Sequence, residues 1–235
     1  MWTYSKKLEY PVKIARPDAA AAKVIISQLG GPDGEMGAAT RYLSQRYTAP
    51  WGQVKAGLTD IGTEELAHIE IVSAILYQLT KGLTVEQIKE GGMEAYFVDH
   101  TTGIYPQAAS GMPFSTATLQ STGDIICDLT EDLAAEQKAR VTYDNILRLV
   151  DDPDVRDPIK FLREREIVHF QRFGEMLRIA QEQLDSMIAF MDRTEDGLLA
   201  DRVQLYGMEP FALDHLTVLE GDLSKLNDPD GNYIA

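Results

Sequence analysis

Glu65-Leu-Ala-His68 and Glu166-Ile-Val-His169 are the two stretches on which the reading of this chain turns. Each sets a glutamate and a histidine three residues apart. On a helix that spacing puts both side chains on one face, about 5–6 Å apart at Cβ, where they can converge on one cation or on two neighbouring ones. A single such pair is a weak signal, because charged helices contain it often and a lone histidine on an apolar face is commonly a hydrogen-bonded core residue. The surroundings strengthen it. A solitary glutamate precedes each motif by the same distance: 65 − 35 = 30 residues separate Glu35 from Glu65, and 166 − 136 = 30 separate Glu136 from Glu166. Four carboxylates, Glu35, Glu65, Glu136 and Glu166, would balance the charge of two divalent ions, and the imidazoles of His68 and His169 suit borderline transition metals. A buried glutamate without a partner is costly, and metal binding removes that cost.

Outward from the motifs, the apolar residues Leu58, Ile61, Leu66, Ile69, Val72, Ile75, Leu76 and Leu79 recur at helical spacing. They predict a helix from about Gly52 to Thr80, stopped at Lys81-Gly82. Upstream, Asp18 is a helix cap, and a helical pattern runs to about Tyr47. It is broken at Gly30-Gly31-Pro32-Asp33-Gly34, either as a kink or as a restart with Pro32 in the first turn. The small residues there also let another backbone come close. Residues 83–115 hold a short helical candidate, Val85–Glu90, and otherwise read as a long connection able to cross a bundle from end to end. A third helix is expected from Ser115 or Thr116 to about Val150, and a fourth from about Pro158 to Met191. The fold expected is all-α: a four-helix bundle with a long crossover between helices 2 and 3 and an arm at each end. Residues 1–191 form the N-terminal arm and the bundle. Residues 192–235 form a C-terminal arm packed on the bundle or on a neighbouring subunit. No long sequence repeat is visible.

Tyr42 follows Glu35 by seven residues, and Tyr143 follows Glu136 by seven, so each lies on its glutamate's face two turns away. Either hydroxyl hydrogen-bonds a ligand carboxylate or packs in the core. His100 and His215 fall in expected loop or arm regions and are left unassigned. The single cysteine, Cys127, excludes an intrachain disulfide and a thiolate metal cage. Its apolar setting predicts a buried, structural thiol. The formal net charge of −15 would repel nucleic acid and anionic lipid, so neither is expected as a partner. The apolar runs are too short to span a bilayer and the N-terminus lacks a signal-peptide core, which predicts a cytoplasmic protein.

At these residues the chain resembles the manganese catalase family, which is ferritin-like, and most closely its spore-coat-associated branch. The resemblance rests on Met1-Trp-Thr-Tyr-Ser-Lys-Lys-Leu-Glu-Tyr-Pro-Val12, Gly30-Gly-Pro-Asp-Gly-Glu-Met36, Arg41-Tyr-Leu-Ser-Gln-Arg-Tyr47, Asp60-Ile-Gly-Thr-Glu-Glu-Leu-Ala-His68 and Arg165-Glu-Ile-Val-His-Phe170. It implies two manganese ions and the disproportionation of hydrogen peroxide. It implies Glu35 and His68 as ligands of one ion, Glu136 and His169 as ligands of the other, and Glu65 as the bridge. Glu166 then matches an acid/base position that need not touch metal, and with Tyr42 it makes up the candidate catalytic pair. The resemblance further implies a homo-oligomer, a hexamer, and spore-coat partners. It departs at Ala135, where some members carry an arginine directly before the third-helix ligand. Two other readings share the same donors: a di-iron oxidase or peroxidase, and a structural coat protein with a dimetal site. The ligands alone do not choose between manganese and iron.

Overall fold

The structure is a computed structural model and describes residues 7–192. The chain enters as an irregular arm laid along the bundle. Ile14 N–H donates to the Gln78 side chain at 2.7 Å, Gln78 Nε2 donates back to the Val12 carbonyl at 2.9 Å, and Tyr10 donates to Asp157 at 2.7 Å. Asp18 then caps helix α1 (Ala19–Ile25), its carboxylate accepting from the Ala20 and Ala21 N–H groups. A short α2 (Ser27–Gly30) follows, and α3 (Glu35–Gln45) starts anew. Of the two outcomes expected at the glycine-proline run, the restart is found, but Pro32 is not in its first turn. Pro32 lies in a turn closed by the Gly34 N–H to Gly31 carbonyl bond at 3.0 Å, and α3 begins beyond it with Gly34 as its cap.

The small residues serve the expected close approach. A Cβ on Gly30 would sit 2.2 Å from the Gln107 amide nitrogen, so the crossover backbone rests directly on this glycine.

Helix α4 (Gly52–Thr80) has the predicted bounds. The connection after it contains α5 (Val85–Glu90), opened by a Thr84–Gln87 capping box, and α6 (Glu94–His100). Helix α6 was not foreseen. His100 ends it rather than lying in a loop, and its ring stacks on Tyr105 with centroids 4.0 Å apart. Beyond an isolated bridge between Gln107 and Pro113 comes a 3₁₀ turn, Thr116–Thr118. The third bundle helix was expected here, but α7 (Ile125–Leu149) starts later, capped by Asp124. Two things hold the intervening chain off the helical path. Buried Arg41 takes the Thr118 and Leu119 carbonyls at 3.0 and 2.7 Å, and Gly123 adopts φ +86°. Helix α8 (Pro153–Asp192) starts earlier than expected. Asp152 accepts from the Asp154 N–H at 2.9 Å, and Pro153 takes the first position, where no N–H is needed. Pro158 lies inside the helix.

Helices α3, α4, α7 and α8 form the ferritin-like four-helix bundle, with the crossover linking α4 to α7. No strand occurs among the described residues, and no described helix is long and apolar enough to cross a membrane. Cys127 is exposed, which corrects its expected burial: α7 turns Leu129 inward and this thiol outward. The C-terminal arm expected over 192–235, with His215, lies past Asp192 outside the described residues.

Two apolar clusters fill the interior. One takes Ile71–Leu79 positions of α4, Tyr143 and Ile146 of α7, and Val155, Ile159 and Leu162 of α8. The other takes Val54, Leu58 and Ile61 of α4, Ile125 and Leu129 of α7, and Phe173, Met176 and Ala180 of α8. Along each of these helices a buried polar layer separates the two.

Candidate metal centre

That layer contains all the predicted donors. Glu65, His68 and His169 are completely buried, and Glu35, Glu136 and Glu166 nearly so. Glu35 occupies the first turn of α3, where the helix dipole favours a carboxylate. Glu65 and His68 face inward from α4, Glu136 from α7, and Glu166 and His169 from α8.

The geometry centres on Glu65. Its Oε2 lies 2.8 Å from His68 Nδ1, and its Oε1 lies 2.8 Å from His169 Nδ1. Each histidine has a second carboxylate on the same edge: Glu35 Oε2 is 3.8 Å from His68 Nδ1, and Glu136 Oε2 is 3.7 Å from His169 Nδ1. The two imidazoles stack with centroids 5.5 Å apart and planes 23° from parallel. Donor atoms of Glu65, His68, Glu166 and His169 lie within 4.8 Å of one another.

Several of these donors lack a hydrogen-bond partner: Glu65 Oε1, Glu136 Oε2, Glu166 Oε1 and His169 Nδ1. Buried polar atoms are rarely left so. Converging lone pairs from carboxylates and imidazoles, gathered in a buried layer, fit a pair of divalent transition-metal ions. Glu35 with His68 and Glu136 with His169 would hold one ion each, and Glu65 would span them.

The tyrosines reach across the layer. Tyr42 on α3 donates to Glu136 Oε1 of α7 at 2.5 Å, and Tyr143 on α7 donates to Glu35 of α3. Of the two roles left open for these tyrosines, both hydroxyls hold a carboxylate, and each holds the glutamate of the other helix. Burial, then the paired carboxylate, pushes both phenols well above their ordinary range, so both remain proton donors.

The carboxyls differ in charge. Burial works to raise Glu65, but His68 and His169 outweigh it and hold it well below the usual range. Burial, then Glu65, pushes Glu35 up to about 8. Burial, then Glu136, Glu35 and Glu65, pushes Glu166 well above the carboxylate range. Burial works to lower His169, but Glu65, Glu136 and Glu64 outweigh it and push it up to about 11.

Glu64 and Arg165 belong to this neighbourhood and escaped the sequence reading. Glu64 packs against the outer edges of both imidazoles and pairs with Arg165. The signal was present: Glu64 stands four residues before His68 on one helix face, and Arg165 directly precedes Glu166. Glu9, from the N-terminal arm, approaches His68 Nε2 at 3.8 Å. Ala135 is buried beside Glu136.

Comparison with known proteins gives consistent matches. The family model for manganese-containing catalase matches residues 1–225. Protein CotJC of Bacillus subtilis is 49% identical over 190 residues, covering 81% of this chain and 100% of that protein. A probable manganese catalase of Clostridium acetobutylicum is 36% identical over 167 residues, covering 71% of this chain and 74% of that one. The crystal structure of KatB, a manganese catalase from Anabaena, superposes with a TM-score of 0.72 at 29% identity, covering 77% of this chain and 81% of that one.

Proposed function

We propose, from the premise that the chain belongs to the manganese-containing catalase family, that it converts hydrogen peroxide to water and dioxygen. One observation carries the reading: the two oxygens of Glu65 each lie 2.8 Å from the Nδ1 of a different histidine, so one carboxylate serves two adjacent half-sites. Two manganese ions bound there supply the redox capacity by which one peroxide is reduced to water and a second is oxidised to dioxygen.

The chain's own residues do the remaining work. Glu35 and His68 make one half-site, Glu136 and His169 the other, and Glu65 joins them. Tyr42 and Tyr143 orient Glu136 and Glu35 by donating hydroxyl protons. Glu166, whose carboxyl favours the protonated form, relays protons one at a time, so that the two released by the peroxide being oxidised replace the two given to the oxygens that leave as water. The apolar clusters on either side of the polar layer keep bulk water from it. Ala135 adds no cation beside Glu136, so peroxide meets a less positive approach there than an arginine would give.

Iron is the second reading, and Glu166 supports it: its carboxylate lies inside the 4.8 Å donor cluster, where it would serve as a further ligand in an iron-type site. Family membership also supports a homo-oligomer, with a hexamer as the finer reading. The likeness to the spore-coat-associated branch supports a place in the coat in addition to the cytoplasm, and a coat role is compatible with catalysis.

Elemental analysis of the purified protein, paired with oxygen evolution on added peroxide, tests the reading. Two manganese ions per chain and vigorous oxygen release are expected. Iron without manganese, and no oxygen, would overturn it. Light scattering on the same sample reads the subunit count.

A further inference from the structure

We infer that Glu64, clamped by Arg165, is a positioning carboxylate shared by both halves of the metal centre. This rests on the metal-centre reading above and goes beyond its ligands. Each imidazole has two nitrogen edges. The Nδ1 edges face Glu35, Glu65 and Glu136. The Nε2 edges face the other way, and both Nε2 atoms are buried without a hydrogen-bond partner. The structure sets carboxylates opposite them. Glu64 Oε2 lies 3.3 Å from His169 Nε2, Glu64 Oε1 lies 3.7 Å from His68 Nε2, and Glu9 lies 3.8 Å from His68 Nε2. Successive residues on a helix diverge by about 100°. Glu65 and Glu64 therefore approach the same two rings from opposite edges, one toward the ligating nitrogens and one toward the outer ones.

Arg165 keeps Glu64 in place. Its Nε and Nη2 donate to Glu64 Oε1 and Oε2 at 2.5 and 3.1 Å, a forked pairing that joins α8 to α4 directly behind the ligands. The guanidinium cancels the charge of Glu64, so the pair adds no net charge to the inner donors. The same pairing argues against a further cation among Glu9, Glu64 and His68, whose donor atoms also lie close together. The central carboxylate of that trio is already taken.

An acceptor facing Nε2 keeps the proton on that nitrogen and leaves the Nδ1 lone pair for metal. It also resists rotation of the ring. Because one side chain serves both rings, loss of Glu64 loosens both half-sites together.

The test titrates the full chain with manganese(II) and counts unbound ion from its aqueous paramagnetic resonance signal, a readout independent of turnover. Circular dichroism of the metal-free chain is expected to be unchanged in E64Q, while binding weakens about 10–100-fold at both sites. E9Q, which lies near His68 alone, is expected to weaken at most one site. E64Q/R165M removes both charges and is expected to bind as weakly as E64Q. Recovery of wild-type affinity in that double variant overturns the inference, because the freed guanidinium would then account for the loss. Wild-type affinity in E64Q, or weakening at one site only, overturns it too. Should E64Q not fold, E64D keeps the pairing charge but withdraws the carboxylate by one methylene, and undiminished affinity there has the same force. A wild-type chain that binds no pair of ions sinks the metal-centre reading and this inference with it, a result distinct from all the others.

Discussion

Glu65 and Glu166 hold the same place in the same motif, yet their surroundings are opposite. Both are buried, and burial works to raise both carboxyls. Glu65 faces His68 and His169, which outweigh burial and keep it ionised. Glu166 faces Glu136, Glu35 and Glu65, which add to burial and keep it protonated. The contrast shows that spacing brings a carboxyl to the site, whereas its neighbours set the charge it carries there before metal binds. The different roles proposed for the two rest on this.

The most damaging single change should be Glu65→Gln. Both ions lose their shared carboxylate, so metal content should collapse and oxygen evolution should fall by more than about 100-fold, beyond what outer partners cost. Full metal content in E65Q would break the contrast at its stronger end. Glu166→Gln probes the other end. Two ions per chain should remain while turnover drops roughly 10²–10⁴-fold, the span of a lost acid/base group. A variant that loses metal along with activity makes Glu166 a ligand, and the distinction disappears.

Acidity gives a third test. In the metal-free chain Glu35 is pushed up to about 8, so at neutral pH metal must displace its proton. His169, pushed up to about 11, must give up a proton as well, so apparent manganese affinity should rise by more than tenfold per pH unit below about 8 and keep rising more gently above it, with proton release visible in unbuffered solution. The sign for stability runs the other way. A carboxyl raised on folding favours the folded state below its unfolded value of 4.5, and that contribution is lost as pH rises to about 8. A metal-free melting temperature that climbs over this window would contradict it. The smallest effect belongs to the tyrosines. Tyr42→Phe and Tyr143→Phe should each weaken metal binding by about tenfold, the low end for outer partners. Loss from only one of the two would show that the hydroxyls do unequal work.

Much of this was legible in the sequence, for physical reasons that can be named. Helix α4 is set by its own periodicity and a cationic stop, both local, so its bounds were readable. The start of α7 was not, because it depends on Arg41, 77 residues away, taking the carbonyl of Thr118. The early start of α8 follows from Asp152 capping a helix whose first residue is proline, a combination that also reads as a stop. The inner donors were found because chemistry restricts their types and helices restrict their spacing. Glu64 was passed over because its i,i+4 spacing to His68 is as common on charged helices as a lone Glu-x-x-His, and only Arg165 opposite it shows which way it faces. Cys127 was misjudged because an apolar stretch on a bundle helix still has one face in solvent.

The crossed tyrosine contacts have one more consequence. Tyr42 meets Glu136 while Tyr143 meets Glu35, and His68 stacks on His169. Residues of one type on the two hairpins stand 101 positions apart: 136 − 35, 143 − 42, 166 − 65 and 169 − 68 all give 101. The same offset pairs fully buried Leu58 with Ile159, Ile61 with Leu162, and Val72 with Phe173. Reciprocal exchange of this kind is what a two-fold symmetric dimer displays across its interface. The bundle thus sets two helical hairpins, α3–α4 and α7–α8, face to face with a two-fold correspondence at their centre, joined into a single chain by the crossover. The correspondence is exact in residue type at the donors and the tyrosines. It is broken at Glu64 and Arg165, symmetry mates that meet each other as opposite charges.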